Sequence, residues 1–467
     1  MGNNFDFLLA PRILPPLDTD FRPAILANTL FLQEVKSSGK SEKLVLGLER
    51  MDGSFSRFET LVFSETHTKA EQNLFFVERL LKFLLWQRGG WKIYVGGPRS
   101  IGNYIKGIYL DGGKRQFDSN FMGNIYTNTF TVIPCDVVDV PPEKELENAL
   151  GRYLEGNRIG FDLGASDLKV SAVVDGKAIF STEIEWQPSQ AADPKYHRQQ
   201  IREALNLAAS KFDHLDAIGG SSAGVYVNNR PMIASLFRGI PRKQFHKIHS
   251  MFLDFKDEFG VPLEIVNDGE VTALAGSMAL EDNGVLGIAM GSSEAAGYVT
   301  MNGNITDWLN ELAFAPVDYN PNASVDEWSG DRGVGALYFS QQCVFRLALK
   351  ADIEVPQDVS DAQKLEAVQE KLESGHEGAR QIWETMAVYL GYTLAHYSDF
   401  YDLKHVLILG RCTSGKGGTL ILAGAKEVLQ TEFPTLAKKI NVQLPDEKSR
   451  RVGQSIAAAS LPQIKRC

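Results

Sequence analysis

Cysteine is scarce in this sequence. There are four in 467 residues, at positions 135, 343, 412 and 467, far apart and without a CxxC or Cys/His cluster. That pattern argues against a disulfide framework or structural zinc and fits a reducing compartment, so a cytoplasmic location is expected. Long apolar runs are missing too, and none approaches the roughly 20 residues of a membrane-spanning helix. Nor is there an excess of positive charge: 48 Lys and Arg stand against 58 Asp and Glu, a formal charge of −10. Such a surface offers no basic field to nucleic acid or an anionic membrane, although a small anion needs only a local site. The opening MGNNFDFLLAPRILPP lacks the basic start and long apolar core of a signal peptide. It also lacks the Ser or Thr that a myristoylation signal carries at its sixth position. What remains is an ordinary globular composition, 44% hydrophobic and 23% charged, in a chain long enough for two or three domains.

The first forty residues read as irregular and Pro-rich. Two strand-like runs, KLVLGLER and FETLVF, precede an amphipathic helix, AEQNLFFVERLLKFLLWQR, which stops at Gly89-Gly90. WKIYVGG is a third strand, and a polar Gly-rich stretch leads on to NTFTVIPCDVVDV. PPEKELENALGRYLEGN, with its prolines, acids and an expected short helix, looks like a boundary, placed near Arg152. A longer α/β unit follows, in which strands and helices alternate to the end of the chain. Strand–turn–strand, helix, strand occurs over 43–97 and again over 158–220. Any α/β chain produces such echoes, so coincidence is the preferred reading over duplication.

Three strand ends in the α/β unit carry small residues. Gly164-Ala165-Ser166 follows Asp162, Gly291-Ser292-Ser293 precedes Ala295-Ala296-Gly297, and Gly410 ends HVLILG. Small residues let backbone N–H groups approach a phosphate closely, and consecutive N–H groups in a turn form an anion nest. One such turn says little. Three in one domain, with Asn267-Asp268 at a strand-to-helix junction between them, say more.

From about 158 to 459 the ordered set resembles the ROK family of sugar kinases, within the actin-like ATPase superfamily. IGFDLGASDLKVSAVVDG is similar to the family's first phosphate hairpin, DxGGT, and AIGGSSAGVYVNNRPMIASLFRGIP to its sugar-facing segment. FGVPLEIVNDGEVTALAG is similar to FGxPVxVENDANAAALGE, and GIAMGSSEAAGYVTMNG to the second phosphate hairpin. NELAF stands where the family has GEIGH, and HVLILGRCTSG is similar to the adenosine-side IVLGGGVS. The resemblance implies a two-lobed actin-like (ribonuclease-H-like) α/β fold. Residues 1–150 would be an added α+β region, 151–280 a first lobe and 281–467 a second. It implies ATP and Mg²⁺, and transfer of phosphate to a hydroxyl of a sugar or polyol-like small molecule. Asp268 would be the general base, with Asn267, Glu311 and Ser235 facing the substrate. Asp162 would hold Mg²⁺ through water, in the family's manner. Gly164, Ala165, Ser166, Gly291, Ser292 and Ser293 would wrap the phosphates, and Gly410 would lie beneath adenosine.

Several residues depart from the family pattern. Its zinc motif is missing, with Ser329 and Val334 at cysteine positions and Phe314 at that of the histidine, so no zinc is expected. Val266 replaces the Glu before Asn-Asp, Ser235 stands near the sugar-facing Asn, and Glu294 puts an acid into the second hairpin. A catalytically silent sugar- or nucleotide-binding relative, with a sensing or regulatory role, is the alternative function. The N-terminal region lacks a basic recognition helix, which argues against a DNA-binding module. Covering the cleft, mediating oligomerisation and extending a lobe all stay open for it, as does a homodimer.

Plainer readings exist for single residues. Asp162 suits a turn and Asp268 a helix cap. Lys169 reads as a solvated side chain rather than a phosphate ligand. GSSAG at 220–224 fits the nucleophile-elbow pattern around Ser222, but no matching oxyanion segment accompanies it.

Overall fold

The computed structural model describes residues 5–464, apart from 146, 149 and 446. Its first lobe is a five-stranded sheet, ordered Leu263–Asn267, Ala217–Ser222, Asn157–Leu163, Asp167–Val174, Lys177–Glu185. The first three strands run parallel, and the last two fold back as antiparallel neighbours. The central strand Asn157–Leu163 is covered on both faces and is accordingly buried almost throughout, with Ile159, Phe161 and Leu163 as its apolar residues. The edge strand Lys177–Glu185 instead alternates half-buried and exposed residues, as an edge with one wet face should.

The second lobe repeats the plan with Asn441–Gln443, His405–Leu409, Val285–Met290, Glu294–Val299 and Ile305–Thr306 in the same spatial order. Both sheets thus have the strand arrangement expected of a two-lobed actin-like fold. Two helices join the lobes, Asp268–Leu280 and the carboxy-terminal Glu447–Ala459, and Val271, Leu274, Ala457 and Ala458 form a small core between them. The second helix lies almost on the first-lobe sheet. A Cβ at Gly219 would sit 1.7 Å from the Ala458 carbonyl and one at Gly160 2.0 Å from that of Ser455, so only glycine fits either position.

The N-terminal region forms a four-stranded sheet, Phe55–Phe63, Ser41–Glu49, Lys92–Gly96, Thr131–Cys135. Its core runs without a break into the second lobe, with Phe31, Leu46 and Trp86 in one cluster with Leu286, Tyr338 and Tyr389. The first lobe keeps a core of its own around Phe161, Ile218 and Phe252. Three local expectations differ from the structure. Residues Ala24–Ser37 form a helix inside the stretch read as irregular, driven by burial of Ile25, Phe31 and Val35. The Gly-rich stretch before residue 130 contains the helices Arg99–Ile108 and Gln116–Tyr126, whose buried Ile101, Ile105, Met122 and Ile125 outweigh its glycines. No helix forms among the described residues of 141–157. Instead Glu147–Asn148 pairs with Ile305–Thr306, and Gly151, Arg152 and Gly156 take positive φ.

The repeat does not extend to topology. Lys92–Gly96 pairs antiparallel with Ser41–Glu49, whereas its counterpart Ala217–Ser222 runs parallel to Asn157–Leu163. Coincidence is therefore the better reading. No helix of the described residues is long and apolar enough to cross a membrane. Cys135, Cys343 and Cys412 are buried free thiols, and Cys467 lies outside the described residues.

Candidate active site

Two aspartates meet where the lobes part. Asp162 sits near the end of the central strand, in register with Lys169 on one side and Ser221 on the other. Burial raises its pKa, while the adjoining Ser221 hydroxyl and the charge of Lys169 pull the other way. Asp268 is the first residue of the helix Asp268–Leu280. Burial, and then the charge of Asp162, push its pKa up to about 6, against the Gly269 N–H that donates to Oδ1 at 3.0 Å. A carboxylate at a helix N-terminus is ordinarily favoured in its charged form, so desolvation and the second acid dominate here. Asp268 does not cap its own helix. Asn267 does, its Oδ1 accepting from Gly269 N at 2.8 Å while its Nδ2 donates to Gly224 O at 2.8 Å.

The two small-residue turns close the hairpins beside this pair. Gly164 N donates to Asp167 O at 2.9 Å and Gly291 N to Ser293 O at 3.0 Å. Among the described residues, the N–H groups of Ala165, Ser166, Ser292 and Ser293 donate to no backbone carbonyl, and all four residues are exposed. Ala165 stands where the family has glycine, yet it avoids positive φ and carries no strain there. Gly410 does need to be glycine. Its φ is 100°, and a Cβ would lie 2.5 Å from the Met290 carbonyl, against the strand that enters the second hairpin. Gly410 lines a cavity of about 670 Å³ together with Leu407, Leu409, Gln443 and Gln454. Lys169 lines the same cavity and pairs with Asp167 at 3.2 Å. Its side chain, 33% exposed, reaches both the cavity and solvent.

Glu311 and Glu294 continue the row of acids. Burial and the charge of Asp268 raise the Glu311 pKa to about 7, and burial raises that of Glu294 to about 8. Glu294 points into the second lobe, where the Tyr397 hydroxyl donates to its Oε1 at 3.3 Å and its Oε2 has no partner. It is 3% exposed, and its raised pKa favours the uncharged form near neutral pH. Glu270 went unnoticed in the sequence. Acids are ordinary in a first helical turn, yet this one is buried, with its pKa raised to about 8. With Asn267 it lines a second cavity of about 210 Å³. Ser235 lies apart from these residues, exposed at the start of the turn Ser235–Phe237, and does not line that cavity.

Where a zinc loop was expected to be missing, contacts with the N-terminal region take its place. Phe314 packs among Trp86, Phe117 and Phe121, with its ring 4.4 Å from that of Trp86. Asp331, 7% exposed, pairs with Arg79 at 3.0 Å, Arg115 at 2.9 Å and Lys82 at 3.2 Å. Among the described residues no three His, Cys, Asp or Glu side chains are grouped to hold a metal. Ser222 is fully buried and accepts from the Tyr226 hydroxyl at 2.6 Å, an arrangement without the histidine a serine nucleophile requires.

No protein-family model matches the sequence, and a comparison with curated proteins finds no match. Solved structures do match in fold. A ROK-family transcriptional regulator, a homolog of the E. coli MLC protein, aligns with TM-score 0.51 at 14% identity, covering 66% of this chain and 79% of its own. The ROK hexokinase from Thermus thermophilus aligns with TM-score 0.50 at 16% identity, covering 65% of this chain and 98% of its own. Each leaves about a third of this chain unmatched. The chain has the two-lobed fold of the ROK-family proteins, at a sequence distance that shows the fold alone.

Proposed function

We propose that the protein is an ATP-dependent kinase that phosphorylates a hydroxyl of a sugar or polyol-like small molecule. The observation that carries this reading is Asp268, a half-buried carboxylate whose desolvation raises its pKa to about 6, beside Asp162 and between two turns with free N–H groups. A general base works best with a pKa near the operating pH, and Asp268 is largely ionised at pH 7. It takes the proton of the attacking hydroxyl. The N–H groups of Ala165, Ser166, Ser292 and Ser293 donate to phosphate oxygens, and Lys169 adds a positive charge. The 670 Å³ cavity above Gly410 suits adenosine, with Leu407 and Leu409 against the base and Gln443 and Gln454 for polar contacts. Asp162 and Asp268 are a fitting donor set for a hard cation, and Asp162 is the residue that would hold Mg²⁺, whose charge offsets that of the phosphates. Closure of the lobes about the two joining helices keeps water from competing as acceptor.

The test is ATP turnover with Mg²⁺ against a panel of sugars and polyols, with Asp268→Ala as control. Turnover that survives this substitution removes Asp268 from the chemistry. The second reading, a silent sugar- or nucleotide-binding protein, is favoured by the exposed Ser235 and by the fold shared with a transcriptional regulator. It predicts a melting-temperature rise with ligand and no turnover with any panel member.

A further inference from the structure

The loop that carries Glu311 is held from outside the lobes. Helix Gln72–Arg88 of the N-terminal region ends beside it, and the last carbonyls of a helix have no partner within the helix. Here Gln87 O accepts from Asn310 N at 2.8 Å and Trp86 O from Glu311 N at 3.0 Å. Three residues earlier, Arg50 grips Asp307 through two parallel bonds, Nε to Oδ2 and Nη2 to Oδ1, each 3.1 Å. Arg50 is 2% exposed and fixed in turn by Glu145, whose Oε2 lies 2.6 Å from Nη2 and also accepts from Trp308 Nε1 at 2.9 Å. A buried fork with both prongs engaged sets orientation as well as distance.

The 210 Å³ cavity has three sides. The first lobe and its joining helix face it with Tyr226, Asn229, Asn267 and Glu270, the second lobe with Asp307 and Leu309, and the N-terminal region with Met51 and Tyr126. Its volume lies below the roughly 300–1,000 Å³ of drug-sized pockets, so a change of one side chain in its wall alters what it admits. Met51 is only partly buried, at the start of the short turn Met51–Gly53, so its side chain can be exchanged without opening the core.

We propose that the N-terminal region is the third wall of the acceptor site, with Arg50 as a positioning residue for the Asp307–Glu311 loop and Met51 as a determinant of acceptor size. The proposal rests on the kinase reading for its assay and on the cavity for its geometry. Met51→Trp, Met51→Ala and Arg50→Lys are compared with the unaltered protein by acceptor KM, ATP KM and saturation-transfer NMR with the same sugars and polyols. Met51→Trp is expected to raise the acceptor KM about tenfold or more, as a crowded pocket does, and Met51→Ala to admit larger acceptors. Arg50→Lys keeps the charge but loses the fork, and is expected to raise acceptor KM about tenfold while ATP KM stays within about twofold. Unchanged acceptor preference in both Met51 variants, or equal shifts of the two KM values, overturns the proposal. If the unaltered protein binds panel members without turnover, the kinase reading fails, and loss of the NMR signal in Met51→Trp still supports the wall. A protein that binds none of the panel overturns the wall as well.

Discussion

Replacing Glu294 by Gln isolates one buried acid. Glu294 replaces an apolar or small residue at the base of the second hairpin, is 3% exposed, and has its pKa raised from 4.5 to about 8, first by burial. Between those values the folded protein keeps a proton that the unfolded chain has released, so stability falls as pH rises across the window and levels off above it. At 1.36 kcal/mol per unit, this acid costs about 3 kcal/mol at pH 7 and about 5 above pH 8. Gln keeps the oxygen that accepts from Tyr397 and cannot ionise. Glu294→Gln should therefore melt with the unaltered protein at pH 5, about 3 °C higher at pH 7, and higher still at pH 9. Differential scanning calorimetry at the three pH values reads this directly. Because Glu270 and Glu311 are common to both proteins, the difference between the curves reports Glu294 alone. Parallel curves would refute the reasoning, for the acid would then be ionised in the folded state or reached by water. The stabilisation of the fold by ATP should be the same in both proteins, since the side chain points away from the phosphate turns.

Asp268→Asn should lower turnover by about 10²–10⁴-fold, the usual worth of a positioned base, while the nucleotide-induced rise in melting temperature persists. In the unaltered protein the proposed turnover should climb in kcat/KM about tenfold per pH unit below pH 6 and flatten above it, as Asp268 releases its proton. Asp331→Ala leaves the buried Arg79, Lys82 and Arg115 with only Glu78 and Asp118 as partners, one negative charge short, and should cost about 3–5 kcal/mol, read by chemical denaturation. Gly410→Ala meets both a positive φ and the Met290 backbone. Strain of about 1–3 kcal/mol should weaken nucleotide binding about tenfold, measurable by calorimetric titration.

Much of this protein was legible in order along the chain. Strands with alternating or continuous apolar residues, the amphipathic helix ending at Gly89, and the Asp162, Asp268 and Gly410 turns depend on near neighbours, and near neighbours are what a sequence displays. Helices Arg99–Ile108 and Gln116–Tyr126 escaped because their glycines and polar residues obscure a buried face that only packing against the N-terminal sheet creates. Ser235 was placed by its position in a motif, and the structure carries it to an exposed turn instead.

The sequence by itself determined the alternating α/β order and the residue types at its strand ends, because period, turn chemistry and spacing are local, while the two-lobed plan was legible only through the resemblance to the ROK family. The tertiary structure decided what those residues experience. Burial, which no short stretch encodes, shifted the titration of Asp268, Glu270, Glu294 and Glu311 toward neutral pH. Contacts across more than 200 residues, from Arg50 to Asp307 and from Trp86 to Glu311, joined the N-terminal region to the second lobe. Such contacts leave no period or spacing to read, and they exist only once both partners have folded.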